Sequence, residues 1–224
     1  MDLSGQICNA AGMTKLCSAL LVLAPLLLGA ATPPVFAPGT YTNEEDRYFA
    51  SERGAAIVPD WMGVEVSAAG QWRGVDAFGK PHGEWQAAAM PLHLAAGGMT
   101  ATAANGVATE MRRGTPFRCR LSLRRFAAKP DGSADWAFQP GLRLHDQGGR
   151  AAASDPGAPG VVIRLRQVIW LPPSTNKPSL VLYVHKPDEP DKAVSYAWAD
   201  PGANLIGINL RWVQGSCSRE GAIP

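Results

Sequence analysis

Arginine at alternate positions is the pattern in this chain that carries chemistry. In an extended strand, successive side chains take opposite faces. Residues 117–126 then place Cys119, Leu121 and Leu123 on one face and Arg118, Arg120, Ser122 and Arg124 on the other. In 161–171, Ile163, Leu165, Ile169 and Leu171 oppose Arg164, Arg166, Val168 and Trp170. Leu180, Leu182 and Val184 oppose Val181, Tyr183 and His185 in the same way, while Arg143 falls with His145 and Asn209 with Arg211. Between Met111 and Phe126 six arginines occur without one acidic residue. A planar guanidinium matches carboxylate, phosphate or sulfate with two parallel hydrogen bonds, and aromatic rings between such groups stack on sugars. Two readings stay open at this level. Either these are ordinary solvated faces, or they align across one sheet into a concave groove for a polyanion. For an exported protein, that polyanion is an acidic polysaccharide more readily than a nucleic acid.

Strands must position these residues. Short runs rich in Val, Ile, Leu and Trp alternate with Gly, Pro, Asn and Asp clusters, and helical periodicity is scarce. Strands are expected at 62–67, 71–78, 87–94, 100–103, 106–111, 117–126, 141–145, 161–171, 180–185, 193–198 and 205–213. A short helix is expected at Glu44–Arg53, and a hairpin turn at His145-Asp146-Gln147-Gly148-Gly149. Strands of this number without crossover helices predict an all-β fold, a two-sheet antiparallel β-sandwich or jelly roll. The expected organisation is a signal peptide at 1–31, an extension at 32–58, the sandwich at 59–217 and a tail at 218–224.

The 224 residues carry a net charge of +2, and the pI is near 8.4. Neither a disordered charged tail nor a dedicated nucleic-acid binder has this balance. Lys15, the apolar stretch Ser18–Leu28 and the small residues Gly29, Ala30 and Ala31 have the layout of a cleaved secretory signal. Cleavage is expected near Ala30 or Ala31. The apolar stretch is short of the roughly 20 residues that span a bilayer, and an uncleaved anchor is the alternative. A periplasmic or secreted location follows, with no transmembrane segment after cleavage. Cys8 and Cys17 leave with the signal, so Cys119 and Cys217 remain, and in an oxidising compartment they most simply pair. Two free thiols are the alternative. Four histidines (His82, His93, His145 and His185) show no metal-ligand spacing, and no Gly-x-Ser-x-Gly elbow or phosphate-cradling loop occurs. No cofactor and no metal are expected.

Two segments also resemble a known family. Gln139-Pro140-Gly141-Leu142 precedes Gly160-Val161-Val162-Ile163-Arg164-Leu165, and Leu182-Tyr183-Val184-His185-Lys186-Pro187-Asp188-Glu189-Pro190 follows. Asp200-Pro201-Gly202 then leads to 205–212. In this order they resemble the core of the jelly-roll polysaccharide lyases that cleave alginate and glucuronan, over about 100 residues. The resemblance implies β-elimination, with Arg164 neutralising a uronate carboxylate and Tyr183 and His185 serving as base and acid. It departs from the family where lysine becomes Phe138, serine becomes Val162 and the second tyrosine becomes His185. Arg118, Arg120, Arg143, Arg166 and Arg211 are the expected ligand-binding set around it. The competing expectation is a non-catalytic envelope or interaction protein built on the same sandwich.

Overall fold

A computed structural model describes residues 36–87, 89–95, 98–170 and 172–221. The signal segment expected at 1–31 lies outside them. The chain enters through β1 (Gly39–Thr42), the helix α1 (Glu44–Glu52) and β2 (Gly63–Val66). It continues through β3 (Trp72–Val75), β4 (Pro81–Gln86), β5 (Leu92–Ala95), β6 (Gly98–Thr102) and β7 (Ala108–Arg113). These seven strands form one antiparallel sheet ordered β4-β3-β2-β1-β7-β6-β5. Tyr41, Val64, Val66, Leu92, Ala101 and Met111 close over a small apolar cluster of its own. At the Asn105-Gly106 turn, Gly106 takes φ 80°, a left-handed conformation that a Cβ would strain.

The remaining eight strands build the sandwich. They are β8 (Pro116–Ala128), β9 (Ala134–His145), β10 (Gln147–Asp155), β11 (Ala158–Val168), β12 (Ser179–Lys186), β13 (Glu189–Ala199), β14 (Leu205–Asn209) and β15 (Val213–Arg219). One sheet is ordered β10-β11-β12-β13 and the other β14-β15-β8-β9. Their inner faces supply one core, in which Phe117, Leu121 and Leu123 meet Ile163, Leu165, Leu182 and Val184. Each such aliphatic or aromatic side chain contributes about 1.5–3 kcal/mol by leaving water. The all-β antiparallel sandwich expected from alternation is thus present. Its strands follow one another in order around the two sheets, as in a meander, and the last strand β15 closes against the first, β8. Cys119 and Cys217 stand opposite each other in that closing pair and form a disulfide.

Three sequence expectations need correction. The strand expected at 87–94 is present only at its end: β4 finishes before it at Gln86, and β5 begins at Leu92, after Pro91, which has no N–H to give a ladder. The run 205–213 folds back as a hairpin at Leu210–Trp212, and β15 extends beyond it. Residues 145–149 are not a hairpin turn. His145 ends β9 in one sheet and Gln147 begins β10 in the other, so Asp146 is a corner between layers. Hydrogen bonds lock that corner: Asp146 N–H donates to Thr115 O, Gln167 N–H to Asp146 O, and Thr115 N–H to Asp146 Oδ1.

Candidate functional site on the outer face of the β10–β13 sheet

Strand register lines up four side chains across the outer face of this sheet. Arg150 of β10 is opposite Arg164 of β11, Arg164 opposite Tyr183 of β12, and Tyr183 opposite Tyr196 of β13. All four point away from the core because their strand neighbours, such as Ile163, Leu165, Leu182 and Val184, fill it. In the adjacent row Arg166, Val181 and Trp198 are in register. The rings form a continuous series. Trp170 stacks on Trp198 with centroids 6.1 Å apart, Trp198 meets Tyr196 edge-on at 5.5 Å, and Tyr196 lies 6.2 Å from Tyr183. Tyr196 and Trp198 are half exposed, at 55% and 51%.

Helix α1 covers the arginine end of these rows. Its first turn is acidic, Glu44-Glu45-Asp46, which suits the positive end of a helix dipole. Asp46 pins the turn by accepting from the Thr109 hydroxyl at 2.7 Å and from Glu110 N–H at 3.0 Å. Glu44 is thereby held against Arg164, with which it forms a buried ion pair, and it also accepts from Trp61 Nε1 at 3.0 Å. Glu45 receives Arg166 at 2.7 Å, and the Arg166 guanidinium lies 4.0 Å above the Tyr48 ring. Beside the helix, Glu44, Arg47, Tyr48, Arg150, Arg164 and Asp191 line a cleft of about 320 Å³. Tyr48 also borders a hollow of about 490 Å³ that runs to Trp170 and Pro172.

The expected trio Arg164, Tyr183 and His185 does meet on one face. The Arg164 guanidinium lies 5.9 Å from the Tyr183 ring centre, and the Tyr183 and His185 rings are 6.1 Å apart. Their environment does not equip them for proton transfer in this arrangement. His185 is 1% exposed, and its ring is turned away from solvent toward the Lys192 backbone. Burial, then the charges of Arg164 and Arg150, bring its pKa down to about 4, so the imidazole is neutral at pH 7 but shielded. Burial raises the Tyr183 phenol above its usual value, against the pull of Arg166 and Arg164, so it stays protonated. Burial, then the neighbouring Arg166, lower Arg164 to about 10; it remains a cation at neutral pH, and Glu44 already neutralises it.

The ligand-binding set does not form one groove. Arg166 is buried under α1, whereas Arg118, Arg120 and Arg143 project from the opposite side of the molecule, the outer face of the β14-β15-β8-β9 sheet. Arg211 is exposed in the β14–β15 turn. The division follows from the core: both sheets turn their apolar faces inward, so their arginine faces look in opposite directions. Sequence reasoning also passed over Glu44, Glu45, Arg150, Asp191, Tyr196 and Trp198. The alternation Tyr196-Ala197-Trp198 was a usable signal for the aromatic pair. Arg150 fell just past the stretch 145–149 read as a turn, where no strand was expected, and the acidic pair opened the short helix expected within the extension. Among the described residues no group of three or more His, Cys, Asp or Glu side chains gathers as metal ligands. No helix among them is long and apolar enough to cross a membrane. No family model, curated protein or solved structure matches the chain.

Proposed function

We propose that this protein binds an acidic polysaccharide along the outer face of the β10–β13 sheet, and that it works outside the cytoplasm, where a buried disulfide persists. One observation carries this reading: an aromatic series, exposed Trp198 and Tyr196 with half-buried Trp170, leads to a cleft holding Arg47, Arg150 and Arg164. Sugar rings stack on the aromatics while uronate carboxylates reach the guanidinium groups. Arg47 is exposed and makes no ion pair among the described residues, so its charge is available. Among the described residues the ion-pair partner of Arg150 is Asp191, whose side chain is 87% exposed and easily displaced. The Arg150 side chain itself is 13% exposed and also donates to Pro190 O. The neutralised Arg164 and the shielded His185 favour binding over β-elimination.

Columns of immobilised alginate, glucuronan and a neutral glucan test this. The acidic columns retain the protein and the neutral one does not, with no rise in ultraviolet absorbance from an unsaturated product. Replacing Trp198→Ala together with Arg150→Gln weakens retention about thirtyfold, the lower end of one stacking contact plus one charge-assisted hydrogen bond. Passage through both acidic columns, or retention unchanged in that variant, overturns the assignment. An absorbance rise restores the lyase chemistry.

A further inference from the structure

The outer face of the β14-β15-β8-β9 sheet is a second, chemically different surface. Along one register row Leu205, Ser218, Arg118 and Arg143 follow across all four strands. At about 4.8 Å per strand this row spans about 14 Å. The neighbouring rows place Gly207, Ser216 and Arg120 together, then Asn209, Gln214, Ser122 and Phe138. Apart from Leu205, the residues of β14 and β15 on this face are small or uncharged polar ones, and four arginines, Arg118, Arg120, Arg124 and Arg143, rise from the other half. Glu220 is the acidic side chain within reach, 3.6 Å from Arg118 and 3.5 Å from Arg143. Arg120 and Arg124 make no ion pair among the described residues. The Arg118 and Arg143 side chains stay 57% and 70% exposed despite Glu220.

Two large apolar side chains stand out of this basic face, Phe138 at 59% and Leu205 at 60% exposure. Between Phe138 and the arginines lies a depression of about 420 Å³ lined by Arg118, Arg120, Phe138, Pro140, Gly141 and Ser218. Guanidinium groups and a hydroxyl on one wall, with apolar carbon on the other, match a phosphate headgroup joined to its acyl chains. A polysaccharide track offers stacked rings. Here half-buried Trp136 shares the face of β9 with Phe138 but forms no ring pair with it among the described residues, and Phe138 and Leu205 protrude separately. Protruding Phe and Leu amid arginines on a flat surface is the composition that seats a protein at a lipid interface. We infer that this face docks on an anionic lipid surface, with a headgroup phosphate between Arg118 and Arg120 and with Phe138 and Leu205 entering the headgroup layer.

The test uses the full protein with vesicles of phosphatidylcholine alone and of phosphatidylcholine mixed with phosphatidylglycerol, separated by sedimentation. The protein follows the mixed vesicles, leaves the neutral ones, and is released as sodium chloride screens the arginines. Arg118→Gln and Arg120→Gln each weaken partitioning about fivefold, and Phe138→Ser weakens it further. Lys80→Gln, the same charge loss in the exposed β3–β4 turn, leaves partitioning unchanged. Any of three results overturns the inference: no association with the mixed vesicles, equal association with the neutral ones, or indifference to both arginine substitutions. Capture of soluble alginate through Arg118 and Arg120, without vesicle binding, assigns the face to a polysaccharide instead. Because this face is opposite the aromatic one, the vesicle result stands whether or not the acidic columns retain the protein.

Discussion

Glu45 of α1 and Arg166 of β11 form an ion pair at 2.7 Å with only 2% and 3% of their side chains exposed. One oxygen of Glu45 and one terminal nitrogen of Arg166 remain without a hydrogen bond. Removing one partner leaves a buried charge uncompensated, which costs about 3–5 kcal/mol, whereas replacing both by apolar groups is close to neutral. Glu45→Ala therefore lowers the urea midpoint sharply. The double variant Glu45→Met with Arg166→Leu restores most of it. A double variant as unstable as the single one would show that the pair itself holds α1 on the sheet.

The Cys119–Cys217 bridge joins positions 98 residues apart. In the chain-entropy model, closing a loop of about 100 residues stabilises by roughly 4.7 kcal/mol. Both cysteines are buried, at 1% and 0% exposure, so reductant reaches the bond only through unfolding. Replacing both with serine is expected to cost about 2–5 kcal/mol in denaturant unfolding. Reductant is expected to leave the native wild type unchanged over hours while lowering its midpoint in denaturant.

Acid is expected to weaken the fold through two histidines. Burial brings His145 down to about 4, and His185 reaches about 4 through burial and the nearby arginines, from an ordinary 6.5. Between those values the unfolded chain holds protons that the folded one refuses. Stability therefore falls as pH drops from about 6.5 to about 4 and levels off below, by up to about 3 kcal/mol for each histidine. Asp146, raised by burial, acts in the opposite sense. Unfolding midpoints across that interval check this, and His185→Leu should flatten the slope by about half.

Gly149 sits where the chain passes from one sheet to the other. A Cβ there would lie 2.5 Å from His145 N and 2.8 Å from His145 O, both backbone atoms with no room to retreat. Gly149→Ala is expected to destabilise by about 1–3 kcal/mol. At Gly74 the nearest atom is 3.7 Å away, and the same change there stays within about 0.5 kcal/mol. Thermal melts of the two variants separate a backbone collision from a general intolerance of alanine in strands.

Alternation made the sandwich legible, because strands such as 117–126 and 161–171 have one largely apolar face, broken only at Arg125 and Gln167, and a two-residue period marks a strand. It also put Arg164, Tyr183 and His185 on one face correctly. It could not tell an outward face that meets water from one that another element covers. Arg164 and Arg166 read as solvated because the acids that bury them are about 120 residues earlier, in α1. Nor does alternation within a strand say which sheet that strand joins, so Arg118 and Arg166 were read as sharing a groove. β10 was missed because Ala151 and Ala153 fill inward positions with side chains too small to register as a hydrophobic pattern.

The pairing of β15 with β8 sets an order of assembly. β8 emerges about 100 residues before its second neighbour, so throughout that interval its outer row of N–H and C=O groups is an open template for foreign strands. Every pairing in the sandwich that does not involve β15 is complete before residues 213–219 arrive, and β14 waits for the same strand. The seam that these residues close is thus the last long-range contact to form and the one on which freedom from aggregation depends. A chain shortened before Val213 would keep most of its core and lose the strand that makes its edge safe.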